Sequence, residues 1–393
     1  MRILHIHEKT AIHGGAEVYI KQLQDLLPEY SVDTEWMGIE EIDAGFIISR
    51  FGSEKKEQFP DTQSLFNYLE AYLSVSDTDI VNIHNLFQPD IVRFFLEHIP
   101  VIKSVHSPVM VCPGRDKFWR FSEQPCTIPY GLHCFYHIYS QGCANRHPKR
   151  VKSQWNYVRF ESKEAAFLYK KIVVMSDYMK SGLLECKVPE DKIIVNPYFT
   201  PLTDPPAENK NQKKRLLFVG RLVSSKGPHI MIEAMEKLLK EREELVLDIV
   251  GDGLMRRDFE NLANKLGLGE KVIFHGWKSQ EEIDQFIRNA YLILFPSVYP
   301  EAFGIVGIEA MMRKKAVVAF DVGGVGTWLK NGVNGFLVPN KNQKELADKV
   351  SFLVERPDII KEMGRNGRDM ALKEFTPDIH INRLIGVYKS VLN

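Results

Sequence analysis

Short apolar runs alternate with helix-length amphipathic segments along the whole chain, and no other feature limits the fold as tightly. RILHI, DIVNIH, VIKSV and KIVVM are the runs of the first half; RLLFVG, LVLDIVG, VIFHG, YLILFP and AVVAF follow in the second. Strands separated by whole helices cannot be joined as tight hairpins, so the pattern predicts parallel sheets with crossover helices. The two series are interrupted by YFTPLTDPPAENKNQKK, from Tyr198 to Lys214, a stretch rich in proline and polar residues that reads as a linker. We therefore expect an α/β chain of two doubly wound domains, residues 1–197 and 215–375, joined by a linker at 198–214. The last segment, 376–393, is amphipathic, begins on a Thr-Pro helix start and can pack back on the N-terminal domain. A length of 393 residues also exceeds one typical core.

Charge narrows the function classes. The 51 basic and 51 acidic residues cancel, so no global field points to nucleic acid. The charge is segregated, however: residues 1–100 hold 7 basic and 17 acidic side chains, residues 101–171 hold 12 and 4. MRILHIHEKT reads as a strand rather than a signal peptide, which predicts a cytoplasmic chain. No run approaches the ~18 apolar residues of a membrane span, so the expected membrane contact is peripheral, on the inner face.

Ligand-binding chemistry clusters where strands end. In HGGAE, Gly14 and Gly15 let backbone N–H groups approach a phosphate, or simply make a tight turn. VGRLVSSKG places Arg221 and Lys226 around a turn, a pairing that suits a diphosphate or a solvated basic loop. VIFHGW puts Gly276 and Trp277 at another strand end, where bare backbone and a ring suit a nucleobase, or packing. YPEAFGIVGIEAM carries Glu301 and Glu309 eight positions apart in an otherwise apolar run. In one continuous helix they would lie about 12 Å apart along the axis. If Glu301 belongs to the loop and Glu309 lies a turn or more inside a helix starting near Gly304, both can grip an elongated ligand, with the helix N-terminus between them.

Taken in order, the Gly-Gly turn, the histidine of SVHSP, the Gly-Arg and Lys-Gly pair, His-Gly-Trp and EAFGIVGIEA resemble the retaining glycosyltransferases of family 4, glycosyltransferase group 1. The resemblance is strong from about Arg215 to Pro339 and weaker over the first 200 residues. It implies a GT-B fold, two Rossmann-like domains facing a central cleft, the N-terminal one binding acceptor. It implies a nucleotide diphosphate sugar donor and a glycan or lipid-linked acceptor, in cell-envelope or exopolysaccharide assembly, with no metal required for catalysis. Glu309 would bond the ribose hydroxyls, Glu301 the sugar's hydroxyls, and the main chain of Phe303, Gly304 and Ile305 would lie against sugar and phosphates. Arg221 and Lys226 match the diphosphate cations, and His106 the active-site histidine near the donor sugar. GGVGTW departs from the family's Gly-Gly-x-x-Glu, which puts contacts near Gly326 and Thr327 in doubt.

Cys112, Cys126, Cys134 and Cys143, separated by 13, 7 and 8 residues, mark a basic, aromatic insert at about 107–150. Three readings stand: a structural zinc site, free buried thiols, or redox-linked disulfides. Its aromatic and basic side chains suit a sugar or an anionic membrane surface, or a solvated face. Two other functions are weighed: a non-catalytic nucleotide-sugar-binding subunit requiring a partner, and a nicotinamide-dependent oxidoreductase. The second is disfavoured by the lack of a Gly-x-Gly-x-x-Gly fingerprint.

Overall fold

A computed structural model describes residues 1–12, 14–205 and 214–392. Its chain divides into two compact units: residues 1–117 and 127–196 with the segment from Ile381 onward, and residues 118–126 with 197–380. The central part of the expected linker, residues 206–213, lies outside the described residues.

The second unit is a six-stranded, all-parallel sheet in the order Val272–Gly276, Val246–Val250, Arg215–Val219, Leu292–Phe295, Val317–Phe320, Gly335–Val338. In chain order this reads third, second, first, fourth, fifth, sixth, so direction of travel reverses between Arg215–Val219 and Leu292–Phe295. Ligands of open α/β sheets bind beyond the strand carboxyl ends at such a reversal. Every residue of Leu292–Phe295 and Val317–Phe320 is buried, as expected of strands covered on both faces. Five of the six strands coincide with the apolar runs; Gly335–Val338 does not appear among them.

Among the described residues the first unit has eight strands, in the order Ile193–Val195, Lys171–Val174, Val101–Val105, Ile80–Ile83, Arg2–His7, Asp33–Ile42, Gly45–Arg50, Lys56–Phe59. Its reversal point lies between Arg2–His7 and Ile80–Ile83, and its last two strands pair antiparallel at the edge. Val101–Val105 is buried throughout, including Lys103 at 0% exposure. A buried ammonium needs compensation. Glu161 supplies it at 3.2 Å, in the π-helical turn Glu161–Ala165, and also accepts hydrogen bonds from the Tyr157 and Tyr169 hydroxyls.

The insert does not stay together. Residues 118–126, the short pair Phe118–Trp119 and Gln124–Pro125, belong to the second unit. Two such strands bury too little by themselves. Phe118 instead lays its ring 6.1 Å from that of Tyr299, while Lys341 donates to the Ser122 carbonyl and pairs with Glu123. The C-terminal helix Pro377–Leu392 places its residues from Ile381 in the first unit, where Asn82 donates to the Tyr388 hydroxyl at 3.0 Å.

Candidate functional site

In the second unit the site is built where the sheet reverses. Ser224–Lys226 is one turn of 3-10 helix closed by Gly227 at φ +72°. A Cβ there would lie 1.9 Å from the Pro296 carbonyl oxygen, so only glycine lets this turn press against the neighbouring strand end. The contact is locked by the Ser225 carbonyl, which accepts from the N–H groups of Val298 and Tyr299 at 3.0 and 3.1 Å. Lys226 thereby reaches Glu301: Nζ donates to Oε1 at 2.5 Å, and the Ser297 hydroxyl donates to the same oxygen at 2.6 Å. Among the described residues no hydrogen bond reaches Oε2 of Glu301, although the residue is only 7% exposed. One oxygen is anchored and the other is available to a hydroxyl.

Glu301 is held from the main chain as well. Gly324 N–H donates to its carbonyl at 2.6 Å, and a Cβ on Gly323 would collide with the same oxygen at 2.3 Å. The Gly-Gly step of GGVGTW therefore serves the loop that carries Glu301. Farther along, Trp328 is fully buried and its indole N–H donates to the Phe303 carbonyl at 2.6 Å. That carbonyl is thus occupied, and the Phe303 ring packs into the core against Tyr198 and Phe375.

Gly304, at φ +94°, caps the helix Ile305–Met312. Gly307 N–H donates back to the Gly304 carbonyl at 3.0 Å, while the N–H groups of Ile305 and Val306 open the helix, where an anion is readily faced. Glu309 lies just over one turn inside and is buried, with Oε1 accepting from Gln280 Nε2 at 2.6 Å. Burial pushes its carboxyl above the ordinary range, against the opposing pull of Arg313 and Gln280. Arg221 is exposed and, among the described residues, has no ion pair or side-chain hydrogen bond. Gly276 ends its strand at φ +71°, and Trp277 beside it is 76% exposed, a ring without a packing role. His275 turns instead to Asp248, at 2.7 Å.

The first unit gathers a different set at its strand ends. His106 follows Val101–Val105 directly and is 9% exposed. Its Nε2 lies 2.8 Å from Nδ1 of His84, whose Nε2 lies 2.9 Å from Nδ1 of His5. The Tyr19 ring meets that of His106 edge-on at 5.3 Å. Gly14 caps the helix Gly15–Leu26 with no side-chain partner, which leaves backbone open there. The nearest charge is negative: Glu17 in the first turn, 3.6 Å from His7 Nε2. Gly14 and Gly15 thus offer N–H groups but not a cationic cradle.

The four cysteines are not assembled into a centre. Cys126 belongs to the second unit and Cys112, Cys134 and Cys143 to the first, and no group of three or more His, Cys, Asp or Glu among the described residues is placed to hold a metal ion. Burial drives the Cys112 thiol up to about 11. Sequence reasoning passed over Gln280, Ser297 and Trp328, and over His5 and His84. Trp328 stands inside GGVGTW and Ser297 just before YPEAFGIVGIEAM, whereas Gln280 lies in a polar helix start with no distinguishing signal.

Residues 202–370 match the model of the glycosyl transferases group 1. The alpha-D-kanosaminyltransferase of Streptomyces kanamyceticus is 32% identical over 176 residues, 45% of this chain and 45% of that protein. The chain spans about half the length of the curated relatives it matches, or less. Sucrose-phosphate synthase from Thermosynechococcus elongatus superposes with a TM-score of 0.73 at 18% identity, over 99% of this chain and 98% of that one. HepE of Anabaena, solved in complex with UDP, gives 0.70 at 17% identity over 99% and 100%. At these identities the likeness shows the fold, which is GT-B, with two Rossmann-like α/β units in one chain.

Proposed function

We propose, from the match of residues 202–370 to the glycosyl transferases group 1 and from the GT-B fold, that the chain is a member of that group and moves a sugar, with retention and without a metal, from a nucleotide diphosphate donor to a glycan or lipid-linked acceptor. The observation that carries the reading is the anchored pair Lys226–Glu301 at the reversal point, with Glu309 buried just over one turn inside the helix that follows Gly304. Glu309 takes the ribose hydroxyls and Glu301 Oε2 a hydroxyl of the sugar. Gly276 and Trp277 flank the base, and the N–H groups from Gly304 and Ile305 face the diphosphate. HepE, a structural neighbour, was solved with UDP, which supports a nucleotide donor.

In the proposed step the acceptor hydroxyl oxygen bonds to the anomeric carbon on the face from which the diphosphate leaves. The bond from that carbon to the diphosphate oxygen breaks with its electron pair on the diphosphate. The hydroxyl proton passes to a phosphate oxygen. Arg221 and Lys226 stabilise the charge that builds up on the leaving group, the task a divalent ion performs elsewhere. We assign to His106 a hydrogen bond to the transferred sugar.

The acceptor side is read from the first unit's surface. Leu132, Phe135, Tyr136 and Tyr139 are exposed on and beside the helix His133–Ser140, and Lys149, Arg150 and Lys152 are exposed on Pro148–Phe160. Apolar rings interleaved with cations suit an anionic membrane, which fits a lipid-linked acceptor in envelope or exopolysaccharide assembly. No helix among the described residues is long and apolar enough to cross one.

Release of nucleoside diphosphate from a panel of nucleotide sugars, with and without EDTA, tests the reaction; proton NMR of the product gives the anomeric configuration. Turnover insensitive to chelation with the donor's configuration kept is expected. Inversion, or loss of activity in EDTA, would contradict the mechanism. Binding without turnover would mark a subunit that requires a partner.

A further inference from the structure

His5, His84 and His106 form one hydrogen-bonded file inside the first unit, the first two at 0% exposure and the third at 9%. We propose that His5 and His84 are positioning residues that fix His106 as the tautomer protonated on Nδ1, so that His106 meets the sugar as a neutral hydrogen-bond donor. The proposal rests on the role assigned to His106 above.

With three neutral imidazoles the file can run in two directions. In one, His5 Nδ1–H donates to His84 Nε2 and His84 Nδ1–H donates to His106 Nε2. In the other, His106 Nε2–H donates to His84 Nδ1, His84 Nε2–H donates to His5 Nδ1, and the last proton sits on His5 Nε2. That atom is buried and has no hydrogen-bond partner. An orphaned buried N–H is rarer than an under-used acceptor, so the first direction is favoured. It delivers a hydrogen bond to His106 Nε2 and leaves its single proton on Nδ1.

The same file resists protonation of His106. A proton added at Nε2 must donate to His84 Nδ1, which reverses the file and strands an N–H on His5. Burial opposes positive charge on the file. Lys103, on the strand leading to His106, is fully buried and satisfied by Glu161. His7, on the strand of His5, faces Glu17 from the helix Gly15–Leu26, and Tyr19 of that helix contributes rings edges at 6.2 Å to His84 and 5.3 Å to His106. Burial drives His5 down to about 3 and holds His84 well below the ordinary imidazole range.

The test is a long-range proton–nitrogen correlation spectrum of the whole protein labelled with ¹⁵N-histidine, without substrate, between about pH 5 and pH 8. His106 is assigned by its loss in His106→Ala. A protonated Nδ1, a bare Nε2 and no titration across the range are expected. A protonated Nε2, or titration near about 6.5, would overturn the proposal. His84→Phe should return His106 to a mixture of tautomers with ordinary titration and lower turnover about tenfold at unchanged nucleotide affinity; an unchanged His106 spectrum in that variant would also overturn it. Should that variant not fold, the wild-type spectrum decides alone. A wild type with the expected tautomer but no transfer would remove the transferase reading and leave the tautomer standing.

Discussion

Lys226 and Glu301 hold one another, and that contact sets what each can do. The ammonium is oriented by the carboxylate at 2.5 Å, and the carboxylate keeps one oxygen for a ligand. Lys226→Ala should lower kcat by about 100- to 1,000-fold, the usual cost of losing one group that stabilises developing charge, with a smaller change in nucleotide Kd. Stopped-flow release of nucleoside diphosphate measures it; a loss below about tenfold would remove Lys226 from the mechanism. Glu309 makes a different forecast. Its carboxyl is raised by burial, so the folded chain holds the proton more tightly than the unfolded chain does. The resulting cost is absent below the unfolded value, about 4.3, and fully present once pH exceeds the folded value. Without nucleotide, Glu309→Gln should therefore be more stable than wild type at pH near 7, the gap closing towards pH ~4. Urea midpoints at the two pH values check the sign; a less stable variant at neutral pH would refute it.

At the scale of elements, the turn Ser224–Lys226 works because Gly227 lies against Pro296. Gly267 has a nearly equal φ, +71° against +72°, but nothing within 4 Å of where a Cβ would stand. Gly267→Ala should thus cost about 1–2 kcal/mol, the left-handed penalty alone. Gly227→Ala should cost more and depress turnover beyond what lost stability explains, since it displaces Lys226. Equal melting temperatures and equal kcat for the two variants would contradict this. The buried strands of both sheets were legible because continuous apolar runs bounded by turns mark them. Gly45–Arg50 and Lys56–Phe59 were not, because they form the antiparallel margin of the sheet and carry charged residues at half-exposed positions, and neither was Asp33–Ile42, whose buried centre is flanked by acidic residues at both ends. Glu301 and Glu309 were legible as acids in an apolar run. Gln280 was not, because its meaning comes only from the helix that lies across from it. His5 and His84 looked like strand residues, since only the pairing of separate strands aligns their rings.

For the molecule as a whole, local pattern indicates two Rossmann-like units but not how the chain is shared between them. It passes from one unit to the other after Lys117, Cys126, Asn196 and His380. Phe118 finds Tyr299, and Tyr388 finds Asn82, over separations that no window of sequence spans. The start of the last helix was readable from Thr376 and Pro377; the partners were not. The proposal that the second unit holds a nucleoside diphosphate through Glu309 belongs to this scale. Melting curves with each nucleoside diphosphate, for wild type and Glu309→Ala, test it most directly. At a hundredfold excess over Kd a bound nucleotide adds about 2.7 kcal/mol, or roughly 5–10 °C for a unit of this size. The account predicts that at least one nucleotide gives that shift in wild type and little in Glu309→Ala; no shift with any nucleotide, or an equal shift in the variant, would contradict it.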